Sequence, residues 1–339
     1  MTDEEAVHLI KRGNIHDLAA AATAVRDRRY PHGIVTFVID RNINYTNVCV
    51  SECRFCAFYR RKEATDAYVL SKDEIFRKIE EAVDLEATQI MLQGGLHPEL
   101  AIDYFEDLLR SIKERFDVTI HSFGPPEIDH IAKVSGISIP ETIRRLKEAG
   151  LDSLPGGGAE ILSDKIRSRV SPNKITAKKW LAVMREAQLA GLKTTATMML
   201  GGLESAEDRV AHLSSIRSLQ DETGGFRAFI PWTYQPGRTE MGGKVTSVQD
   251  YLRTLAVARI YLDNVDHVQG SWVTQEKDIG QISLSFGGDD LGSIMIEENV
   301  VKATGVSHVM SKDEMIRLIR AAGKIPARRN TAYEILEVY

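Results

Sequence analysis

Cys49, Cys53 and Cys56 are the only cysteines in the chain, and all three sit within Asn47–Tyr59 at the spacing Cys-x3-Cys-x2-Cys. An odd number so tightly grouped is no disulfide framework. Three thiolates in one short loop can surround a single metal centre. A [4Fe–4S] cluster ordinarily takes four thiolates, so three leave one iron without a cysteine ligand. Zinc would need a fourth protein ligand, which His32, His97 or His121 would have to supply through space. A purely electron-carrying cluster lacks its fourth thiolate. Inert core cysteines would scatter along the chain.

An open iron can bind a substrate. S-adenosylmethionine (SAM) can chelate it through its amino and carboxylate groups, accept an electron into its sulfonium and release methionine and a 5′-deoxyadenosyl radical. The cysteine loop therefore predicts a radical SAM enzyme, with SAM as co-substrate. Other segments suit such a ligand. The glycines of Gln93-Gly94-Gly95 permit close backbone approach, or simply make a tight turn. Pro155-Gly156-Gly157-Gly158-Ala159-Glu160 reads as a ligand-facing loop. Its Glu160 suits ribose hydroxyls, as a carboxylate accepting two hydrogen bonds, or else caps the next helix. A SAM carboxylate needs a cation. Arg167, Arg169 and Arg185 are candidates, and Arg169 is the one assigned to the cofactor site.

These groups need a scaffold. Helix starts recur as capping boxes at Ser71-x-x-Glu74, Ser138-x-x-Glu141 and Ser311-x-x-Glu314, with further N-caps at Ser205 and Ser247. Gly150, Gly191, Gly224 and Gly323 follow helix ends. Between the helices lie short apolar runs: Ile34–Ile39, Ile43–Thr46, Gln89–Leu92, Val118–His121, Asp152–Leu154, Thr194–Leu200, Ala228–Ile230, Val265–Gln269 and Ile282–Phe286. Short strands alternating with helices imply βα units and a parallel sheet. Eight units fit 339 residues, since α/β barrels run to roughly 250 residues before extensions. No dinucleotide-type GxGxxG follows the first strand, which weakens an open doubly wound sheet. The expectation is a (β/α)8 barrel over 33–304, preceded by a helical extension over 1–32 and followed by a C-terminal helix and tail over 305–339 packing on the barrel. The cysteine loop then lies at the barrel's C-terminal face, where active sites sit.

Composition narrows the class. Net charge is −5 with pI about 6.0, so no basic excess points to nucleic acid. No run reaches the roughly 20 apolar residues of a membrane span, and the acidic start Met1–Glu5 lacks signal-peptide layout. A cytoplasmic protein is expected.

The phrases Asn42–Tyr59, Gln93–Pro98, His121–Glu127, Pro155–Leu162, Gln220–Trp232, Ser271–Val273 and Phe286–Val300 resemble the cyclic dehypoxanthine futalosine synthases of the futalosine route to menaquinone. The resemblance covers nearly the whole chain. Gly156–Glu160 and Gln220–Trp232 (QDETGGFRAFIPW) separate it from aminofutalosine synthase and the deazaflavin-cofactor synthases, which stand as the alternative reading. Asp289 departs from the Asn expected there. The resemblance implies a [4Fe–4S] cluster on the three cysteines, Phe55 near the SAM adenine, and Gln93, Gly94 and Gly95 near its amino group. It implies hydrogen abstraction from ribose C4′ of dehypoxanthine futalosine and addition of the new radical to the attached benzoate ring. A ferredoxin or flavodoxin is the expected electron donor. Ring deprotonation needs a base, for which His97, His121, Glu127, Asp290, Glu297 and Glu298 are the candidates. Tyr45, Trp232 and Trp272 are candidates to line the cavity, and Met198-Met199 reads as core filler. A zinc-stabilised barrel or electron carrier without radical chemistry is the alternative of a different class.

Overall fold

The computed structural model describes residues 1–339. Two helices open the chain, α1 (Asp3–Arg12) and α2 (Ile15–Arg29). Thr2 and Glu5 cap α1 reciprocally and Asn14 caps α2, satisfying amides that a helix start leaves free. Next come β1 (Ile34–Val38), β2 (Asp40–Ile43), α3 (Lys72–Asp84), β3 (Gln89–Leu92), α4 (Ile102–Arg115) and β4 (Thr119–Ile120). They are followed by α5 (Pro125–Ser135), α6 (Ile139–Ala149), β5 (Ser153–Leu154), α7 (Asp164–Val170), α8 (Ala177–Leu189) and β6 (Lys193–Leu200). The last third holds α9 (Ala206–Thr223), β7 (Phe226–Thr233), α10 (Val248–Tyr261), β8 (His267–Val268), α11 (Lys277–Ser283) and β9 (Asp290–Ser293). The chain ends with α12 (Lys312–Ala321), β10 (Ile325–Arg329) and β11 (Ile335–Val338).

β1 and β2 are one strand interrupted at Ile39. Parallel pairing runs from β2 through β3 to β4, and a bridge between His121 and Ser153 joins β5. Pairing continues through β6, β7 and β8, and a bridge between Gln269 and Asp290 joins β9. β9 returns to β1, with Thr36 opposite Asp290. The ring is closed, and the fold is the expected (β/α)8 barrel.

The apolar core lies between the strands and the surrounding helices. α3 buries Ile75, Phe76, Ile79 and Ala82, and α6 buries Ile143, Leu146 and Ala149, the three-to-four spacing of an amphipathic helix. They meet outward side chains such as Ile90, Ile120 and Leu154. Each such aliphatic group contributes about 1.5–3 kcal/mol on full burial. Inward positions are polar instead: Asn42, Gln89, His121, Thr195 and Arg227 border an internal cavity. α2 packs along α10, and α1 lies against α9 and α10.

Three expectations need correction. Ile282–Phe286 is not a strand. Ile282 belongs to α11, and Leu284–Gly287 form a turn. Its alternation arises because Leu284 is buried and Phe286 packs on the core from a helix end. The last barrel strand is β9, whose inner residue is an aspartate and whose apolar pattern is therefore faint. Ile34–Ile39 and Ile43–Thr46, read together as one edge of the sheet, hold only as far as Ile43, where ladder pairing ends; beyond it Thr46 makes a single bridge to Val69. Ser138 accepts from the Glu141 amide, but the Glu141 carboxylate turns to Arg144 and leaves the box half made.

The tail contains more than a helix. β10 runs parallel to β1 beneath β3, and β11 turns back against it. Arg329 at the end of β10 enters the barrel and donates to both oxygens of Asp290, at 2.6 and 3.0 Å. Thr36 Oγ1 donates to the same carboxylate at 2.6 Å. The next residues cross the floor, where the Tyr333 ring stacks 3.7 Å from His267 and 3.8 Å from the Arg329 guanidinium.

Removing one member of a buried ion pair strands the other and costs about 3–5 kcal/mol. Asp290→Ala is therefore expected to lower the unfolding free energy by that amount in urea titrations. Asp290→Ala combined with Arg329→Met should recover much of the loss. A change below about 1 kcal/mol, the scale of an exposed pair, would show that the pair does not hold the floor.

Candidate active site

β2 delivers the chain to the C-terminal mouth of the barrel, and the cysteine loop begins there. Asn44 Nδ2 donates to Gln93 O at 2.8 Å, and Thr46 Oγ1 donates to Tyr68 O at 2.6 Å. Asn47 Nδ2 donates to Asp66 O at 2.8 Å while its Oδ1 accepts from Tyr68 N at 2.9 Å. These side chains satisfy backbone groups of a loop that pairs only through isolated bridges, Thr46 with Val69 and Val48 with Arg60. Glu52 takes φ +44° between the first two cysteines, and Cys56 N donates to Cys53 O at 3.0 Å. The loop thus turns its three thiols into one cavity. Gly95 is required beneath it: a Cβ there would lie 2.1 Å from Val48 O and 2.9 Å from Cys49 Cβ.

Burial pushes the Cys56 thiol up to about 11 and raises Cys49 as well, so these two thiols are protonated at neutral pH and a cationic centre must displace their protons. No three His, Cys, Asp or Glu side chains converge closely enough to hold one ion. The donor set suits a larger cluster better than a zinc ion, whose four ligands crowd one atom.

The cavity holds about 430 Å³. Phe55, Gln93, Gly94, Gly95 and Glu160 all border it, together with Trp232 and Trp272. Glu160 sits at φ +41°, its Oε1 accepts from Lys174 Nζ at 2.6 Å, and its buried Oε2 has no partner. A buried carboxylate oxygen left unpaired is costly, and a ligand hydroxyl would relieve it. Gly156 is clamped between Thr195 Oγ1 and Thr197 Oγ1 at 3.0 and 2.7 Å, and a Cβ on it would meet Thr197 N at 2.7 Å.

The candidate cations separate cleanly. Arg169 is exposed and does not border the cavity. Arg185 is also exposed and pairs with Glu222. Arg167 is buried but spends its hydrogens on the carbonyls of Gly158, Ala159 and Ile175, bracing the glycine loop. The cation that borders the cavity beside the cysteine loop is Lys174, 5.1 Å above the Phe55 ring. Sequence reasoning missed it because one lysine in a polar turn after α7 looks like surface.

The base candidates divide too. His97 does not border the cavity: its carbonyl accepts from His130 Nε2 at 2.8 Å. Asp290 is held by Arg329, and Glu297 by Arg41 and Lys78. His121, Glu127 and Glu298 border the cavity. Glu298 is occupied by the backbone amides of Val300, Val301 and Lys302. Glu127 accepts from Gly94 N at 3.0 Å, Gly124 N at 2.8 Å and Tyr45 Oη at 2.9 Å, and burial still carries its carboxyl up to about 7. Tyr45 thus stands behind Glu127 rather than on the cavity wall. His121 bonds Ser153 Oγ through Nδ1 at 2.6 Å, and burial near Arg227 and Arg329 lowers it to about 3, leaving it neutral. Met198 and Met199 are buried in the wall. Asp289 neutralises buried Arg259 and bonds His267 Nδ1 at 2.6 Å, a purely structural post.

The family model for the Radical SAM superfamily matches residues 43–216, and that for the CofH/MqnC C-terminal region matches residues 223–339. A cyclic dehypoxanthine futalosine synthase from Streptomyces coelicolor is 48% identical over 100% of this chain and 86% of its own length. Its counterpart from Halalkalibacterium halodurans is 48% identical over 99% of this chain and 91% of its own. A 5-amino-6-(D-ribitylamino)uracil--L-tyrosine 4-hydroxyphenyl transferase from Methanosarcina acetivorans is 40% identical over 90% of this chain and 83% of its own. Among solved structures, methylornithine synthase (PylB) superposes with a TM-score of 0.74 at 18% identity, covering 96% of this chain and 94% of its own. The maturase HydG from Carboxydothermus hydrogenoformans gives 0.78 at 17% identity, covering 98% and 77%. These two share the barrel. Identity of nearly one residue in two along the full chain decides the rest: the protein belongs to the radical SAM superfamily and, within it, to the family of cyclic dehypoxanthine futalosine synthases.

Proposed function

We propose that this protein cyclises dehypoxanthine futalosine: the 5′-deoxyadenosyl radical takes hydrogen from ribose C4′, that carbon joins the attached benzoate ring, and loss of one proton and one electron from the adduct restores the aromatic ring. The observation that carries the reading is the set of three thiols at the mouth of a closed barrel whose cavity also holds an unpaired Glu160 oxygen. Superfamily members use a [4Fe–4S] cluster and SAM, which together supply a carbon-centred radical able to take hydrogen from an unactivated C–H bond. Cys49, Cys53 and Cys56 would hold the cluster. Glu160 would bind the ribose of SAM, oriented by Lys174, with Phe55 beside the adenine and Gln93–Gly95 at the amino group.

The other residues position and protect. Such a radical attacks nearly any C–H bond, so the site must exclude water and hold C4′ close to SAM. Trp232 and Trp272 narrow the upper cavity, and the C-terminal residues close its floor. Glu127 ties the ends of β3 and β4 together through Gly94 and Gly124, which makes it a positioning residue. His121 is the remaining candidate for the ring proton: it is neutral, and its Nε2 makes no hydrogen bond within the protein. A ferredoxin or flavodoxin of the cytoplasm would donate the electron.

Anaerobic reconstitution with iron, sulfide, SAM, a strong reductant and dehypoxanthine futalosine should yield 5′-deoxyadenosine and a product two hydrogens lighter than the substrate by mass spectrometry. Cys53→Ala should abolish SAM cleavage and lower bound iron. Release of 5′-deoxyadenosine with untouched substrate, and turnover of 5-amino-6-(D-ribitylamino)uracil with tyrosine instead, would favour the transferase reading of the archaeal relatives.

Glu127 gives a pH signature. Its carboxyl titrates near 4.5 when free and near 7 in the fold. Between those values the native state holds a proton that the unfolded chain has lost, so stability falls as pH rises and levels off above 7. Glu127→Gln removes this slope. Urea unfolding of the apo-protein should show the wild type losing about 3 kcal/mol relative to the variant across that window. A pH-independent difference between the two would overturn this account of Glu127.

A further inference from the structure

The floor of the cavity contains a cation that the protein itself leaves unsatisfied. Arg227, Ile230 and Trp232 on β7 all border the cavity; the register slips at Arg227, which lets it face inward with the other two, and the first and last stand at most roughly 16 Å apart along the strand. Arg227 is thus toward the floor and Trp232 toward the mouth. Nη1 of Arg227 donates to Thr331 O at 2.6 Å. Its Nε and Nη2 are buried with no partner, and Thr331 Oγ1 beside them is equally unpartnered. The neighbouring Arg329 is neutralised by Asp290, whereas no carboxylate pairs with Arg227. A buried charge without a partner is costly. Here burial and the nearby Arg329 charge lower the guanidinium to about 10.

We propose that Arg227 and Thr331 form an anion subsite at the barrel floor that anchors the aryl carboxylate of the substrate. Nε and Nη2 form the side-on edge of the guanidinium, whose two parallel N–H groups match the two oxygens of a carboxylate. The Thr331 hydroxyl adds a third donor. His121, whose titration responds to the Arg227 charge, then faces the ring that carries the carboxylate, one step above the floor. The sugar at the other end of the molecule points toward the cysteines. The subsite explains how the barrel sets the direction of a long substrate: the charged end enters first, and only the end that must react remains within reach of SAM. Naming the ligand as a benzoate rests on the cyclase reading; the presence of an anion site does not.

The test uses reconstituted enzyme with dehypoxanthine futalosine and its carboxamide analogue. For Arg227→Gln, KM for the natural substrate should rise roughly 10- to 150-fold, the loss of a charge-assisted bidentate contact. Wild type should lose a similar factor when given the carboxamide, and the variant should treat both compounds nearly alike, as expected for two changes at one contact. Arg227→Lys, which keeps the charge without the fork, should fall between them. Iron content and the thermal midpoint report folding, and Arg227→Lys serves in the same cycle if the glutamine variant does not fold. Equal losses by Arg227→Gln on both compounds, or equal KM of wild type for both, would overturn the subsite. Should wild type leave dehypoxanthine futalosine untouched, the cyclase reading fails by itself. Benzoate then decides the site: a thermal shift in wild type that Arg227→Gln lacks supports it, and no shift in wild type overturns it.

Discussion

The buried pairing of Asp290 with Arg329 is the contact on which the rest of this barrel depends. Asp290 stands on β9, opposite Thr36 on β1, at the seam where the ring of strands closes. Arg329 comes from β10, beyond the last barrel strand in sequence. Their bond ties the seam to the tail and seals the lower end of the cavity. Neither charge would survive there alone, because desolvation of an unpaired ion in a protein interior costs several kcal/mol. A polar interior is thus stable only because each of its charges has a named partner, and the exceptions mark where a ligand belongs.

At the mouth the same reasoning applies to Glu127. A carboxylate inside the wall is unfavourable, yet this one receives three donors from three different segments. It links the Gly94 turn to the Gly124 turn and is backed by Tyr45, itself packed edge-on against Phe105 and Phe123. The loop that would meet the SAM amino group is therefore held from below by an aromatic stack. Lys174 and Glu160 form a second such unit above the glycine loop braced by Arg167. The mouth is rigid because its polar groups bond to one another, while the Glu160 oxygen that stays open is the one chemistry can use.

Much of this was legible in sequence where the signal is local. The spacing of Cys49, Cys53 and Cys56 is a short-range pattern, and the cofactor followed from it. Helix caps at Ser71, Ser205, Ser247 and Ser311 stand where their side chains predict. The barrel followed from alternation of strand and helix. What failed was non-local. β9 escaped notice because its inner aspartate is stabilised by an arginine almost forty residues away. Ile282–Phe286 imitated a strand because a helix end and turn can also bury alternate side chains. Lys174 and Arg227 are single cations in unremarkable surroundings, and Arg169 competed on equal terms until burial distinguished them. A charge reveals its role only once its partners, or their absence, can be counted.

The vertical arrangement of the cavity suggests how one scaffold serves several reactions. On that reading the groups at the mouth serve SAM: three thiols, a closely approaching backbone and a hydroxyl acceptor. The far end of the substrate meets Arg227, Thr331 and His121 instead, and two of these lie in the region matched by the CofH/MqnC C-terminal model. Selectivity is a difference in binding free energy, and an unpaired buried guanidinium discriminates strongly, since any ligand that lacks an anion leaves it unsatisfied. Substrate choice is therefore exercised at the floor, well away from the bond that is broken, by residues that the closure of the tail brings into place.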